Sequence, residues 1–168
     1  MNRFRSRTPR WLPWTLGIAV VLIDQLTKAW THQTLAIGAI RPLVPGLLQL
    51  RRVINTGAAF SLFSNSAAVL GLISAVVSLA LILWLLFRPP PRLIQGLAAG
   101  FLLGGAIGNG IDRWRLGGVI DFLELVPISF PIFNLADVAI NLAAACFLID
   151  SLSQSPKQHH SSGKQRDA

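Results

Sequence analysis

Four apolar runs, each about as long as the hydrocarbon core of a bilayer is thick, constrain this chain more than anything else in it. They cover about 11–30, 66–87, 93–111 and 133–149, and roughly 20 apolar residues suffice to cross a membrane as a helix. In lipid a backbone must satisfy its own hydrogen bonds, so runs of this kind fold as helices. Only 13% of the 168 residues are charged and 52% are hydrophobic, which leaves little material for a separate soluble domain. The expected fold class is an all-α membrane protein with four transmembrane helices, both termini cytoplasmic, and a small extracytoplasmic β-sheet element. Residues 1–150 are expected to form a single four-helix transmembrane domain, and 151–168, rich in Ser, Gln and Lys, a disordered cytoplasmic tail.

The orientation follows from the basic residues. Arg3, Arg5, Arg7 and Arg10 precede the first run, Arg88 and Arg92 fill the short second connection, and Lys157, Lys164 and Arg166 lie in the tail. Cytoplasmic loops carry the excess of Lys and Arg, so these nine belong inside. Arg41, Arg51, Arg52, Arg113 and Arg115 are spread over two longer outer connections. The net charge of +8 does not make a nucleic-acid binder, because these charges are scattered between apolar spans and form no basic patch. The first run is too long for a signal-peptide core and ends in Asp24-Gln25-Leu26-Thr27-Lys28 instead of small residues, so a retained anchor is expected. Cys146, the only cysteine, falls inside the fourth run and reads as a packing thiol.

Local signals set the connections. Pro89, Pro90 and Pro91 cannot continue a helix and force a reversal that makes the second and third runs a hairpin. Leu48-Gln49-Leu50-Arg51 alternates as a strand does, and the Gly117-Gly118 turn precedes a second strand-like stretch, Val119-Ile120-Asp121-Phe122-Leu123. Gly96, Gly100, Gly104 and Gly108 recur every four residues, so one helix face is open to close approach by a neighbour. His159 and His160 lie in the tail and are read as part of a mobile segment, not as metal ligands.

The polar residues beside these runs carry the functional signal, because ionisable groups near lipid cost several kcal/mol unless paired or wet. With both termini inside, Asp24 to Lys28, Asn55, Asn109 to Arg113 and Asn134 to Asp137 all meet at the outer boundary. Asp24 and Lys28 have the i,i+4 spacing of a helical ion pair. Asn109 and Asp112 share a face, and Arg113 is suited to holding a carboxylate or a peptide carbonyl. Asn134 can cap the fourth helix, with Asp137 in its first turn; capping leaves Asn141, four residues on, unexplained. Asp121 is a carboxylate between Ile120 and Phe122 in an apolar strand. Two carboxylates brought together share a proton, which supplies an acid and a base in one pair. The ionised member can activate water against a carbonyl while the protonated one donates to the carbonyl oxygen. No His-x-x-x-His or Gly-x-Ser-x-Gly pattern is present, so the parts of zinc and serine hydrolases are missing.

Asp24-Gln25-Leu26-Thr27-Lys28, Asn55-Thr56-Gly57-Ala58-Ala59-Phe60, Gly108-Asn109-Gly110-Ile111-Asp112-Arg113, Val119-Ile120-Asp121-Phe122 and Phe133-Asn134-Leu135-Ala136-Asp137 together resemble the motifs of the bacterial lipoprotein signal peptidases, the aspartic signal peptidase family. The resemblance covers nearly everything between residues 11 and 150. It implies an endopeptidase of the cytoplasmic membrane, with its site at the extracytoplasmic face, that cuts prolipoproteins just before a diacylglyceryl-modified cysteine. Carried over by motif, Asp121 and Asp137 match the catalytic pair, and Asn55, Asn109, Arg113 and Asn134 match residues that line the site and hold substrate. Asp24 matches a supporting position, Lys28 and Asn141 are expected to support with it, and Asp112 is expected to be structural. Lipidated prolipoproteins and membrane lipid are the expected partners, with no cofactor, no metal and a monomeric enzyme. The rival reading is a proton-coupled carrier or channel, which needs charges spread through the membrane depth; the second and third runs hold none before Asp112.

Overall fold

The computed structural model describes residues 8–57 and 66–154. Its elements run α1 (Leu12–Thr34), β1 (Ile40–Val44), β2 (Leu48–Asn55), α2 (Ala67–Phe87), α3 (Leu93–Leu116), β3 (Val119–Leu125) and α4 (Leu135–Ser153). Both expected strands are present and longer than their alternation indicated, and β1 joins them as an edge. Within the tail, residues 155–168 lie outside the described residues, as do Arg3, Arg5, Arg7 and Ala58 to Phe60 of the second motif.

α3 is the hub and packs against each of the other three helices. Its glycines explain how. A Cβ at Gly104 would stand 2.8 Å from the Gly17 carbonyl oxygen of α1, and one at Gly108 would stand 2.7 Å from Asp24 Oδ2. The glycine face therefore seats α1, and the close approach brings the acidic turn of α1 against α3. Gly105 faces the other way, where a Cβ would meet the Ala136 carbonyl oxygen of α4 at 2.7 Å. The proline-rich reversal ends α2 at Phe87 as expected, and α3 starts at Leu93.

α2, α3 and α4 are long and apolar enough to cross a membrane. α1 has the length but is not among these three, where four were expected. Its C-terminal half carries Asp24, Gln25, Lys28, His32 and Gln33. Asp24, Lys28 and Thr31 are buried, whereas Ile18, Leu22, Ile23 and Leu26 are exposed. Polar residues turned inward and apolar ones outward reverse the arrangement of a soluble bundle.

The sheet has the order β1-β2-β3 with antiparallel neighbours. Ile120 and Phe122 pack with Leu50 and with Leu35 just beyond α1. The period of two then turns Asp121 to the opposite face. α3 extends to Leu116, past the expected boundary at 111, and ends on Gly117, whose φ of 70° is the left-handed cap that glycine accepts without penalty. That sharp stop delivers the chain straight into β3.

Candidate active site

Asp121 and Asp137 reach one cavity by separate routes. Asp121 sits in β3, paired with Val53 across a register shift in β2. After β3 the chain folds back, and Phe133 exchanges backbone hydrogen bonds with Leu123 at 2.8 and 3.0 Å. This return places Asn134, the N-cap of α4, beside Asp121. Asp137 follows in the first turn, as expected, and completes a capping box: Asn134 Oδ1 accepts from the Asp137 N–H at 2.9 Å, and Asp137 Oδ2 accepts from the Asn134 N–H at 3.1 Å.

The asparagines bind the acids themselves. Asn134 Nδ2 donates to Asp121 Oδ1 at 2.6 Å and to Asn109 Oδ1 at 3.1 Å. Asn109 Nδ2 donates to Asp137 Oδ1 at 2.8 Å, and Asn55 Nδ2 donates to Asp121 Oδ2 at 2.9 Å. All four carboxylate oxygens thus receive a donor. Burial, reinforced by the neighbouring Asp137 charge, nevertheless pushes Asp121 up to about 7, against the opposing pull of Asn55, Asn134 and Lys28.

The cavity that both aspartates line has a volume of about 670 Å³. Asn55, Asn109 and Arg113 share its polar end, while Phe133, Val138, Ile140 and Leu142 give it an apolar wall. A second, more polar cavity reaches Asp121 from the side of Thr56 and Ser129. Among the described residues Arg113 has no hydrogen-bond or ion-pair partner, and the charges of Asp137, Asp121 and Asp112 act on its guanidinium. Asn134 is fully buried and does not line the cavity. Asn141 lines the cavity, but its amide donates to the Asp137 backbone carbonyl at 2.9 Å and not to the carboxylate.

Beneath the pair lies a buried ionic cluster. Lys28 Nζ is 2.8 Å from Asp24 Oδ2, 3.1 Å from Asp112 Oδ2 and 3.0 Å from Asn109 Oδ1. The i,i+4 pair expected from α1 is therefore present, with Asp112 added to it. Gln25, which sequence reasoning passed over, donates to Asp24 at 3.3 Å, to Asp112 at 3.0 Å and to the Gly108 carbonyl at 3.1 Å. Its position between Asp24 and Lys28 in the first motif was the available signal. Arg52 was also missed as a buried group; it donates to the His32 and Leu35 carbonyls and so ties β2 to the end of α1.

Comparison with known proteins agrees with this construction. The family model described as signal peptidase (SPase) II matches residues 16–153. The lipoprotein signal peptidase of Parasynechococcus marenigrum (strain WH8102) is 56% identical over 147 residues, covering 86% of this chain and 92% of its own. That of Trichormus variabilis (strain ATCC 29413 / PCC 7937) is 44% identical over 160 residues, covering 95% and 99%. Among solved structures, a bacterial membrane enzyme determined by the in meso method at 2.3 Å resolution superposes with a TM-score of 0.81 at 26% identity, covering 98% of each chain. The chain belongs to the signal peptidase II family.

Proposed function

We propose that this protein is an aspartic endopeptidase that removes signal peptides from prolipoproteins, cutting on the N-terminal side of the diacylglyceryl-modified cysteine. The observation that carries the proposal is the pair of buried carboxylates, Asp121 and Asp137, tied together by Asn134 at the polar end of a largely apolar cavity. Its relatives' names as lipoprotein signal peptidases supply the substrate class.

In this reading four helices cross the bacterial cytoplasmic membrane, α1 included, with both termini cytoplasmic and the sheet outside. The positions of Arg88 and Arg92 at one end, and of the ionic cluster at the other, support that orientation. Asp121 holds the pair's proton near neutral pH, in keeping with its raised pKa. Ionised Asp137 accepts a proton from the attacking water, Asp121 donates to the carbonyl oxygen, and the resulting tetrahedral species collapses with proton transfer to the leaving amine. Arg113 holds a substrate carbonyl, and the apolar wall takes the lipid-anchored part of the precursor. Asn109 and Asn134 serve mainly to hold the acids, a narrower role than the substrate contact expected of them. Asn55 serves both ends, since it donates to Asp121 and lines both cavities.

The test is cleavage of a diacylglyceryl-modified precursor by the purified protein in detergent, run beside the same precursor without the lipid. Release of the signal peptide from the lipidated form alone is expected. Equal cleavage of both forms contradicts the substrate assignment, and cleavage of neither contradicts the activity.

A further inference from the structure

Asp24 and Asp112 stand on different helices and make the same kind of contact. Asp24 Oδ1 accepts the backbone N–H of Ala136 at 3.0 Å, and Ala136 immediately precedes Asp137. Asp112 Oδ2 accepts the backbone N–H of Ile120 at 3.1 Å, and Ile120 immediately precedes Asp121. Each acid therefore grips the chain one residue before an active-site aspartate. Lys28 bridges both acids.

An ammonium has three donors and no acceptor. Here the three acceptors are Asp24, Asp112 and Asn109, so Lys28 is saturated although it is only 2% exposed. Because the cation can only donate, Asn109 must turn its oxygen toward Lys28, and its NH2 then faces Asp137. The oxygen of Asn109 also receives Asn134 Nδ2, which aligns the same amide group with Asp121. One charge on α1 thus orders amides on α3 and at the start of α4.

We propose that Lys28 is the positioning residue of the site: by clasping Asp24 and Asp112 it sets the spacing of the segments that carry Asp137 and Asp121, and by holding Asn109 it fixes the donor that Asp137 receives. The proposal rests on the reading of Asp121 and Asp137 as the catalytic pair. The clasp is assembled from α1, α3, β3 and α4, none of which is adjacent to all the others in sequence. Moving a reacting group by about 1 Å costs on the order of a hundredfold in rate, so a clasp that fixes two backbone segments acts on turnover and not on substrate affinity. The groups that face Asp121 are Lys28 from α1, Arg113 from α3, Asp137 and the capping Asn134 of α4 and Asn55 from β2. Lys28 is one of two cations in that set, and its loss moves the titration of Asp121 to higher pH.

The experiment uses the full chain in detergent with a lipidated precursor and compares Lys28→Met with wild type for kcat, KM and the pH dependence of kcat. We expect kcat to fall about 100-fold, KM to stay within about threefold, and the alkaline limb to move to higher pH. If Lys28→Met does not fold, Asp24→Asn/Lys28→Met removes one charge of each sign, keeps an acceptor for Ala136, and is expected to behave in the same way. Turnover within about threefold of wild type in either folded variant overturns the proposal. So does a loss of turnover with an unmoved alkaline limb, which marks a merely structural role. Parallel Asp121→Asn and Asp137→Asn variants separate the two claims: if either cleaves normally the catalytic pair is wrong, whatever Lys28→Met does.

Discussion

Asn134 and Asp137 hold each other by two reciprocal hydrogen bonds of 2.9 and 3.1 Å, and the same Asn134 side chain reaches Asp121 at 2.6 Å. One residue is therefore both the cap of α4 and the link between the two acids. Asn134→Ala is expected to cost about 1 kcal/mol of stability for the lost cap and to lower kcat by more than that loss explains. Thermal unfolding in detergent, measured beside turnover of a lipidated precursor, separates the two effects.

The pH dependence follows from Asp121. Its folded value of about 7 lies above the usual carboxylate range, so the proton that the proposed mechanism uses is present below pH 7 and leaves above it. Cleavage is expected to decline on the alkaline side with a midpoint near the Asp121 value. Stability carries the same sign: a carboxyl group with a raised folded pKa favours the native state fully below its unfolded value near 3.9 and loses that contribution as pH rises through about 7. Melting temperatures of wild type and Asp121→Asn compared between pH 4 and pH 8 should diverge, with wild type losing ground as pH rises.

Gly108 leaves room for the Asp24 carboxylate and not only for a neighbouring helix. An added Cβ there would lie 2.7 Å from Asp24 Oδ2, whereas at Gly104 it would meet Val20 and the Gly17 carbonyl. Both Gly→Ala changes are expected to destabilise by about 1–3 kcal/mol through overpacking. Only Gly108→Ala is expected to reduce turnover of the folded fraction, because it displaces Asp24 from Ala136. Turnover normalised to folded protein reads the difference.

Arg113 lines the cavity without a partner among the described residues. A charged hydrogen bond to substrate is worth about 1.5–3 kcal/mol, so Arg113→Met is expected to reduce kcat/KM by about 10- to 100-fold, with much of the change in KM. Arg113→Lys, which keeps the charge and loses the planar fork, should recover part of the loss. Steady-state kinetics over a range of lipidated precursor concentrations give the split.

Much of this architecture was legible because lipid penalises polar groups so heavily that each one beside an apolar run stands out. The prolines at 89–91, the glycine ladder and the Asn134 cap fixed local structure by rules that act over a few residues. The edge strand β1 was less legible, since all five of its residues are exposed and Pro42 interrupts it, leaving no alternation to read. The third and fourth motifs named Asp112 and Asp121 but not the tie between Asp112 and Ile120, because a side chain that accepts from a distant backbone N–H leaves no spacing signal. Gln25 was marked by its place in the first motif, but its donation to Asp112 and the Gly108 carbonyl on another helix leaves no spacing signal. α1 falls short of the other three helices in apolarity because its C-terminal half is polar on the face it turns toward α3.

The most direct test of the central claim is the cleavage rate of a diacylglyceryl-modified precursor by Asp121→Asn and by Asp137→Asn, each purified in detergent and shown to melt as a folded protein. General acid–base partners contribute about 10²- to 10⁴-fold each, so both variants are predicted to lose at least that much turnover while still binding the precursor. Turnover near the wild-type rate by either folded variant would contradict the assignment of Asp121 and Asp137 as the catalytic pair.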